Sequence, residues 1–510
     1  MILPMVPPSL LLAPNIYYGT RMNRRIFLES AGAASLAVGQ AQETEPGLMG
    51  SRKMVGIQIG AVSFVDEGVD KVLDIVQERA RVNSIFLITY AYNRGLAGRQ
   101  IPGHPFPDHG KQEPDHDFVG GYYATPHMDL YKATPYKAFR APELGDFNIL
   151  ASVLPAMKKR GLSSFAFMAD NLPEKPRPDV EKLQERNLDG AAINKVCFRN
   201  PNYQALLMAM VEDCLRTYDL DGLLWRSEAT GPFGMVLGMT HGSPSRATCF
   251  CEFCRKAARE RGVDVDRSLQ GYRALEAFAD RVRKGRKHVD GAFTDFWRIM
   301  LDYPEILAWN MLWVDGVRQT HRAVYSKAKS IKPKLMVGWA IAHNNAFNPF
   351  FRAENNLGVM TGYTDFLKVL TYHNAGGERT VRYVDNLRNS ILADLTPSQA
   401  LDFIYGIALH KQGTYDQIAK TGFTDDFVYR EAKRSVEATA GSKTRIWPGI
   451  DVDLPTRAGN SRCTPEKTKA AVLAAFRGGA HGVLLARKYS EMWLANLSGA
   501  GQAVRELGLG

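Results

Sequence analysis

The sequence is poor in cysteine, with six in 510 residues. That count excludes the dense disulfide framework that holds small secreted domains together, and a chain of this length can bury a core without one. Long apolar runs are also missing, so no segment reads as a stable membrane span. After about residue 50 there is no low-complexity tract, short repeat or Pro/Ser-rich linker, which excludes repeat arrays and strings of tethered domains. The first strand-like run leads into "GAVSFVDEG" instead of a G-x-G-x-x-G turn, which disfavours an open dinucleotide-binding sheet. A P-loop, a G-x-S-x-G elbow and an H-E-x-x-H helix are absent as well, excluding the commonest nucleotide, serine-hydrolase and zincin chemistries. The net charge of +11 is mostly dispersed. Its one dense run, "RVRKGRKH" (Arg281 to His288), has no aromatic partners on which bases could stack, so it reads as a solvated helix face and no nucleic-acid partner is expected.

What is present starts at the N-terminus. "MNRRIFLESAGAASLAVGQAQ" carries Arg24 and Arg25, then Phe27 and Leu28, then an Ala/Gly-rich run ending in small residues near Ala41. This is the pattern of a bacterial twin-arginine export signal, so residues 1–45 are assigned to upstream sequence and signal, and a periplasmic or secreted location is expected.

From residue 46 onward, β-rich apolar runs alternate with amphipathic helical patterns. The strand candidates are "MVGIQIGAVSF", "SIFLITYAY", "SSFAFMAD", "GLLWRSE", "LMVGWAIAH", "FLKVLTYHN", "RIWPGIDVD" and "GVLLARKYS". Eight such βα units predict an α/β fold, a single (β/α)8 TIM barrel over 46–510. Long loop insertions are expected after strand two (about Gly95 to Leu144) and strand four (about Ala229 to Thr294), on the rim where barrel active sites are built.

Three of the six cysteines fall within "CFCEFC", as Cys249, Cys251 and Cys254. Disulfides between such close neighbours are geometrically awkward, whereas thiolates around tetrahedral zinc tolerate the spacing. A closed structural site needs a fourth ligand, and Cys197, Cys214 and Cys463 are the candidates.

"CFRNPNYQALLMAMVEDCLRTYDLDGLLWRSE" followed by "CFCEFCRKAARERG" resembles the zinc-binding β-galactosidases of glycoside hydrolase family 42 and related glycosyl hydrolases of the (β/α)8 clan. The likeness covers about sixty residues. It implies a structural zinc on Cys197, Cys249, Cys251 and Cys254, a carbohydrate substrate and cleavage of an O-glycosidic bond. It also implies that Glu228, at the end of strand four, is the acid/base. Where that family has Asn-Glu, this chain has Ser227-Glu228, so the preceding amide is lost.

A glycosidase needs a second carboxylate across the sugar. The family's strand-seven glutamate is replaced here by Asp451 and Asp453 in "RIWPGIDVDLP", and Asp451, nearer the strand end, is the first expectation. Asp170, ending strand three, is expected to bind substrate or to be the true partner of Glu228. Tyr90, Trp225, His343, Asn344, His373, Asn374 and Tyr489 stand at or near other predicted C-terminal strand ends and are candidate sugar contacts. A non-catalytic carbohydrate-binding barrel and a sugar isomerase or lyase are the alternative readings.

Overall fold

A computed structural model describes residues 53–137, 139–175, 177–227 and 229–509. The expected export signal therefore lies outside the described residues, and so does Glu228. From Lys53 onward the described residues fall in one compact unit. No helix among them is long and apolar enough to cross a membrane.

Eight parallel strands close into a barrel. They are strand one, Met54–Gly60; two, Ser84–Ala91; three, Ser163–Ala169; four, Gly222–Arg226; five, Met336–Ile341; and six, Phe366–Thr371. Strand seven comes in two pieces, Arg445–Ile446 and Gly449–Asp451, and strand eight is Gly482–Ala486. Each strand pairs in parallel with the next, and strand one pairs with both two and eight, which completes the ring. Strands one and two are buried at every position, as a sheet covered on both faces requires, which is why they read as near-continuous apolar runs.

The barrel is filled from its N-terminal end. Phe86, Phe165, Phe366 and Trp447 touch in all six pairings, with Phe86 stacked on Phe165 at 4.4 Å and Phe366 on Trp447 at 4.1 Å. Two glycines make the room: a Cβ on Gly222 would lie 2.2 Å from the Phe165 ring, and one on Gly338 would lie 2.3 Å from the Phe366 ring. The aromatic plug seals that end, and the polar residues collect at the other.

Chain is added unevenly around the C-terminal rim. The segment after strand two returns through Gly121–Tyr122, antiparallel to Tyr90 and Ala91. Four helices follow strand four before the long helix Glu305–Ile331: Pro232–Leu237, Glu252–Glu260, Val265–Arg283 and Ala292–Asp302. Further additions depart from the simple βα expectation, among them three short helices, Asn344–Phe347, Pro349–Glu354 and Leu357–Met360, between strands five and six. A hairpin, Gln184–Arg186 with Ala192–Val196, stands between strand three and its helix, and four helices, not one, separate strands six and seven. The hairpin is short and half-buried, so its residues show neither clean alternation nor an apolar run.

Candidate active site and metal centre

The hairpin after strand three and the insertion after strand four meet at the cysteines. Cys197 follows the second hairpin strand, and Cys251 precedes the helix Glu252–Glu260 that carries Cys254. One sulfur from each of Cys197, Cys249, Cys251 and Cys254 lies within 4.8 Å of the others, all in buried positions. Cys197 Sγ is 3.6 Å from Cys251 Sγ and 3.8 Å from Cys254 Sγ. Sulfurs about 2.3 Å from the centre of a tetrahedron are about 3.8 Å apart, so the spacing fits a four-thiolate metal centre. Burial pushes the Cys249 thiol up, while hydrogen bonds from Cys197, Cys249 and Cys254 hold Cys251 well below the ordinary thiol value. The other two cysteines lie elsewhere. Cys214 is buried in the helix Pro201–Thr217, and Cys463 Sγ lies 3.3 Å from the Asp451 carbonyl.

The cysteine loop is fastened to the hairpin by more than sulfur. Arg186 N–H donates to Cys249 Sγ at 3.4 Å, and Phe250 N–H to the Arg186 carbonyl at 2.8 Å. Buried Glu185 accepts the Thr248 hydroxyl at 2.5 Å and Trp313 Nε1 at 2.7 Å. Lys195, across the hairpin, lies 3.5 Å from Glu185 and donates to the Thr230 carbonyl at 3.0 Å.

This hairpin walls a cleft of about 440 Å³ at the mouth of the barrel, over strands two to five. Asp170, Arg226, Lys195, His241, Asn344 and Tyr92 face it. Asp170 Oδ1 accepts Trp225 Nε1 at 2.7 Å and also the Tyr203 hydroxyl. Asp170 Oδ2 has no hydrogen-bond partner among the described residues. Burial pushes the Asp170 carboxyl up to about 6, against the pull of the Tyr203 and Trp225 hydrogen bonds, which favour the charged form. His241 Nδ1 lies 2.8 Å from Asn344 Oδ1 on the opposite wall.

The other expected residues take different places. Asp451 is fully buried, its Oδ2 accepting Ala375 N–H and its Oδ1 accepting Leu454 N–H, both at 2.9 Å. It therefore caps the helix His373–Arg388 and a turn, each oxygen accepting a backbone N–H, and it does not line the cleft. Burial pushes its carboxyl up to about 6. Asp453 is likewise committed, accepting Trp493 N–H at 2.8 Å and the Asn496 amide. Tyr489 is buried against His109, with its hydroxyl 3.4 Å from Glu67, away from the cleft. Tyr90 is buried, edge-on to Tyr92, and Trp225 is buried with its indole nitrogen on Asp170. These two support the cleft from behind.

His343 and His373 are also buried. His343 Nδ1 faces Arg379 at 3.3 Å, while His343 Nε2 and both His373 nitrogens lack partners among the described residues. Burial holds both imidazoles neutral, His373 down to about 4. Asn374 bonds Ser461 and faces a smaller pocket beside Asp453 and Glu491. The mouth is thus divided, with Asp170 and Asn344 on one side and Asn374 on the other. Lys195, Arg226 and His241 were not expected at the site. Lys195 lies on the second hairpin strand, His241 in a rim loop and Arg226 at the end of strand four; no local motif marks any of them.

No protein-family model matches the chain, and no curated protein sequence matches it. Solved structures with a similar outline include a β-galactosidase from the psychrophilic Marinomonas ef1, at 9% identity and a TM-score of 0.46 over 89% of this chain and 59% of that one. An α-L-fucosidase isoenzyme 2 from Paenibacillus thiaminolyticus matches at 12% identity and 0.46 over 90% of this chain. The chain spans about half, 49%, of that fucosidase's length. The PgaB (BpsB) glycoside hydrolase domain from Bordetella bronchiseptica matches at 10% and 0.45, covering 89% of this chain and 98% of that one.

Proposed function

We propose that the chain is a glycoside hydrolase working in the cleft over strands two to five, with Asp170 and Glu228 as its two carboxylates. The observation that carries this reading is Asp170: a carboxyl at about 6, facing a polar cleft at a barrel mouth, with one oxygen held by two donors and the other unpartnered among the described residues. Donors on Oδ1 favour the ionised form and leave Oδ2 for a base's or nucleophile's work. Glu228, two residues beyond Arg226, takes the proton-donating role that the sequence resemblance implies. Lys195, His241 and Asn344 supply hydrogen bonds for vicinal hydroxyls, and Tyr92 an aromatic edge. Hydrolysis of a panel of aryl glycosides tests this reading, because a carbohydrate-binding barrel would bind without cleaving.

The four-cysteine centre is proposed to hold a structural zinc. Four protein sulfurs leave no open position, so the ion would pin the hairpin that presents Lys195 to the cleft instead of activating water. The Arg24–Arg25 pattern supports export to the periplasm or beyond.

A further inference from the structure

Beside the cleft lies a second compartment of about 420 Å³, and Tyr92 and Glu174 line both. Its lining is strongly cationic: Arg94, Arg140, Lys175 and Arg177 stand against Glu174, its one carboxylate among the described residues. The cations differ in how far they are neutralised. Arg94 is paired with Asp115 at 2.6 Å and Arg177 with Asp179 at 2.9 Å. Arg140 makes no ion pair among the described residues. Its guanidinium is instead fixed by three carbonyls, those of Tyr122 at 3.3 Å, Gly145 at 3.1 Å and Phe147 at 3.0 Å. Lys175 is exposed and also makes no ion pair among the described residues.

Two aromatic surfaces interleave with these charges. The Arg94 guanidinium lies 5.0 Å over the Phe118 ring, and that of Arg177 lies 5.5 Å over Tyr136. Tyr136 is in turn hydrogen-bonded to Tyr92 at the boundary with the cleft. A sugar ring extending past Tyr92 would therefore meet apolar ring surface and a rigid, uncompensated guanidinium together. A guanidinium already held in place, with three N–H donors on carbonyls and two left over, attracts an anion without first losing rotamer freedom.

We propose that the glycan recognised at this mouth is acidic, and that this compartment is the subsite for its anionic group, a carboxylate or a sulfate ester. The proposal rests on the glycosidase reading only for the cleft next door; the subsite itself can be tested by binding alone. Titration calorimetry of the full chain would use three probes: tetragalacturonate, a sulfated galactotetraose and uncharged galactotetraose. At low salt at least one charged probe should bind about tenfold more tightly than the uncharged one, and the advantage should shrink in high salt. Which probe gains distinguishes carboxylate from sulfate. Arg140→Gln and, separately, Lys175→Gln should reduce the ratio of charged to uncharged affinity. Lys175 is exposed, so its variant keeps the test valid if the Arg140 change disturbs the loop held by the three carbonyls. Equal affinity for all three probes, no binding of either charged probe, or an unaltered ratio in both variants would overturn the subsite. Selective binding of an acidic probe by a protein that cleaves no glycoside would leave the subsite standing and remove the hydrolase reading. Cleavage without selectivity would do the reverse.

Discussion

Trp225 Nε1 donates to Asp170 Oδ1 across 2.7 Å, joining the ends of strands four and three beneath the cleft. The bond stabilises the ionised carboxylate against the burial that raises its pKa to about 6. Trp225→Phe removes the donor while keeping an aromatic ring. The Asp170 pKa should then rise further, and the acidic limb of kcat/KM should move to higher pH in the same direction. A limb that stays in place would mean that another group sets it.

Asp451 should prove a stability residue. In Asp451→Asn one of its two backbone donors, Ala375 N–H or Leu454 N–H, faces an amide NH₂ in place of an acceptor. An unpaired buried donor costs about 1–3 kcal/mol, which chemical denaturation would detect. The pH dependence has a definite sign. Asp451 is raised from 3.8 to about 6 in the folded protein, so the folded state holds this proton more tightly than the unfolded state. Its contribution is therefore fully present below about 4 and is lost as pH rises toward 6. The stability penalty of Asp451→Asn should be larger near pH 4.5 than at pH 7, with turnover of the folded variant largely retained.

The contrast between Asp170 and Asp451 shows how much of the site was legible in the sequence. Both end β-rich runs and both are pushed to about 6, although Asp451 is fully buried and Asp170 only partly so. Which one keeps an oxygen without a partner among the described residues depends on donors remote in sequence: Ala375 lies 76 residues from Asp451, and Trp225 lies 55 from Asp170. The barrel was legible because two-sided burial writes each strand as a local apolar run, and even the Pro448 break left "RIWPGIDVD" recognisable. The cysteine cluster was legible through its spacing. The hairpin bearing Lys195 was not, because a short, half-polar pair of strands has no periodicity to read.

Elemental analysis should find about one zinc per chain. Cys251→Ser should lose the metal and lower thermal stability, since Cys251 Sγ stands only 3.6 Å from Cys197 Sγ in a closed thiol set. Loosening the hairpin should also weaken glycoside binding by displacing Lys195 from the cleft wall. A metal-free wild-type protein, or a variant of unchanged stability, would remove the zinc from the account.

Glu228→Gln should reduce turnover of glycosides with poor leaving groups by about 10²–10⁴, the usual range for proton donation. Activated aryl leaving groups need little protonation, so their turnover should fall less. Equal losses on both substrate types would argue against Glu228 as the acid.

We propose that Asp170 does the ionised carboxylate's work in glycoside cleavage. It is tested most directly by the kcat/KM–pH profile of wild type and Asp170→Asn on one cleaved aryl glycoside. If the ionised Asp170 is required, as proposed, wild-type activity should rise with pH through about 6, where the carboxyl loses its proton. Asp170→Asn should fall by about 10²–10⁴ and lose that limb, while still binding the sugar. An Asp170→Asn protein that cleaves at near wild-type rate with the same limb would contradict the account.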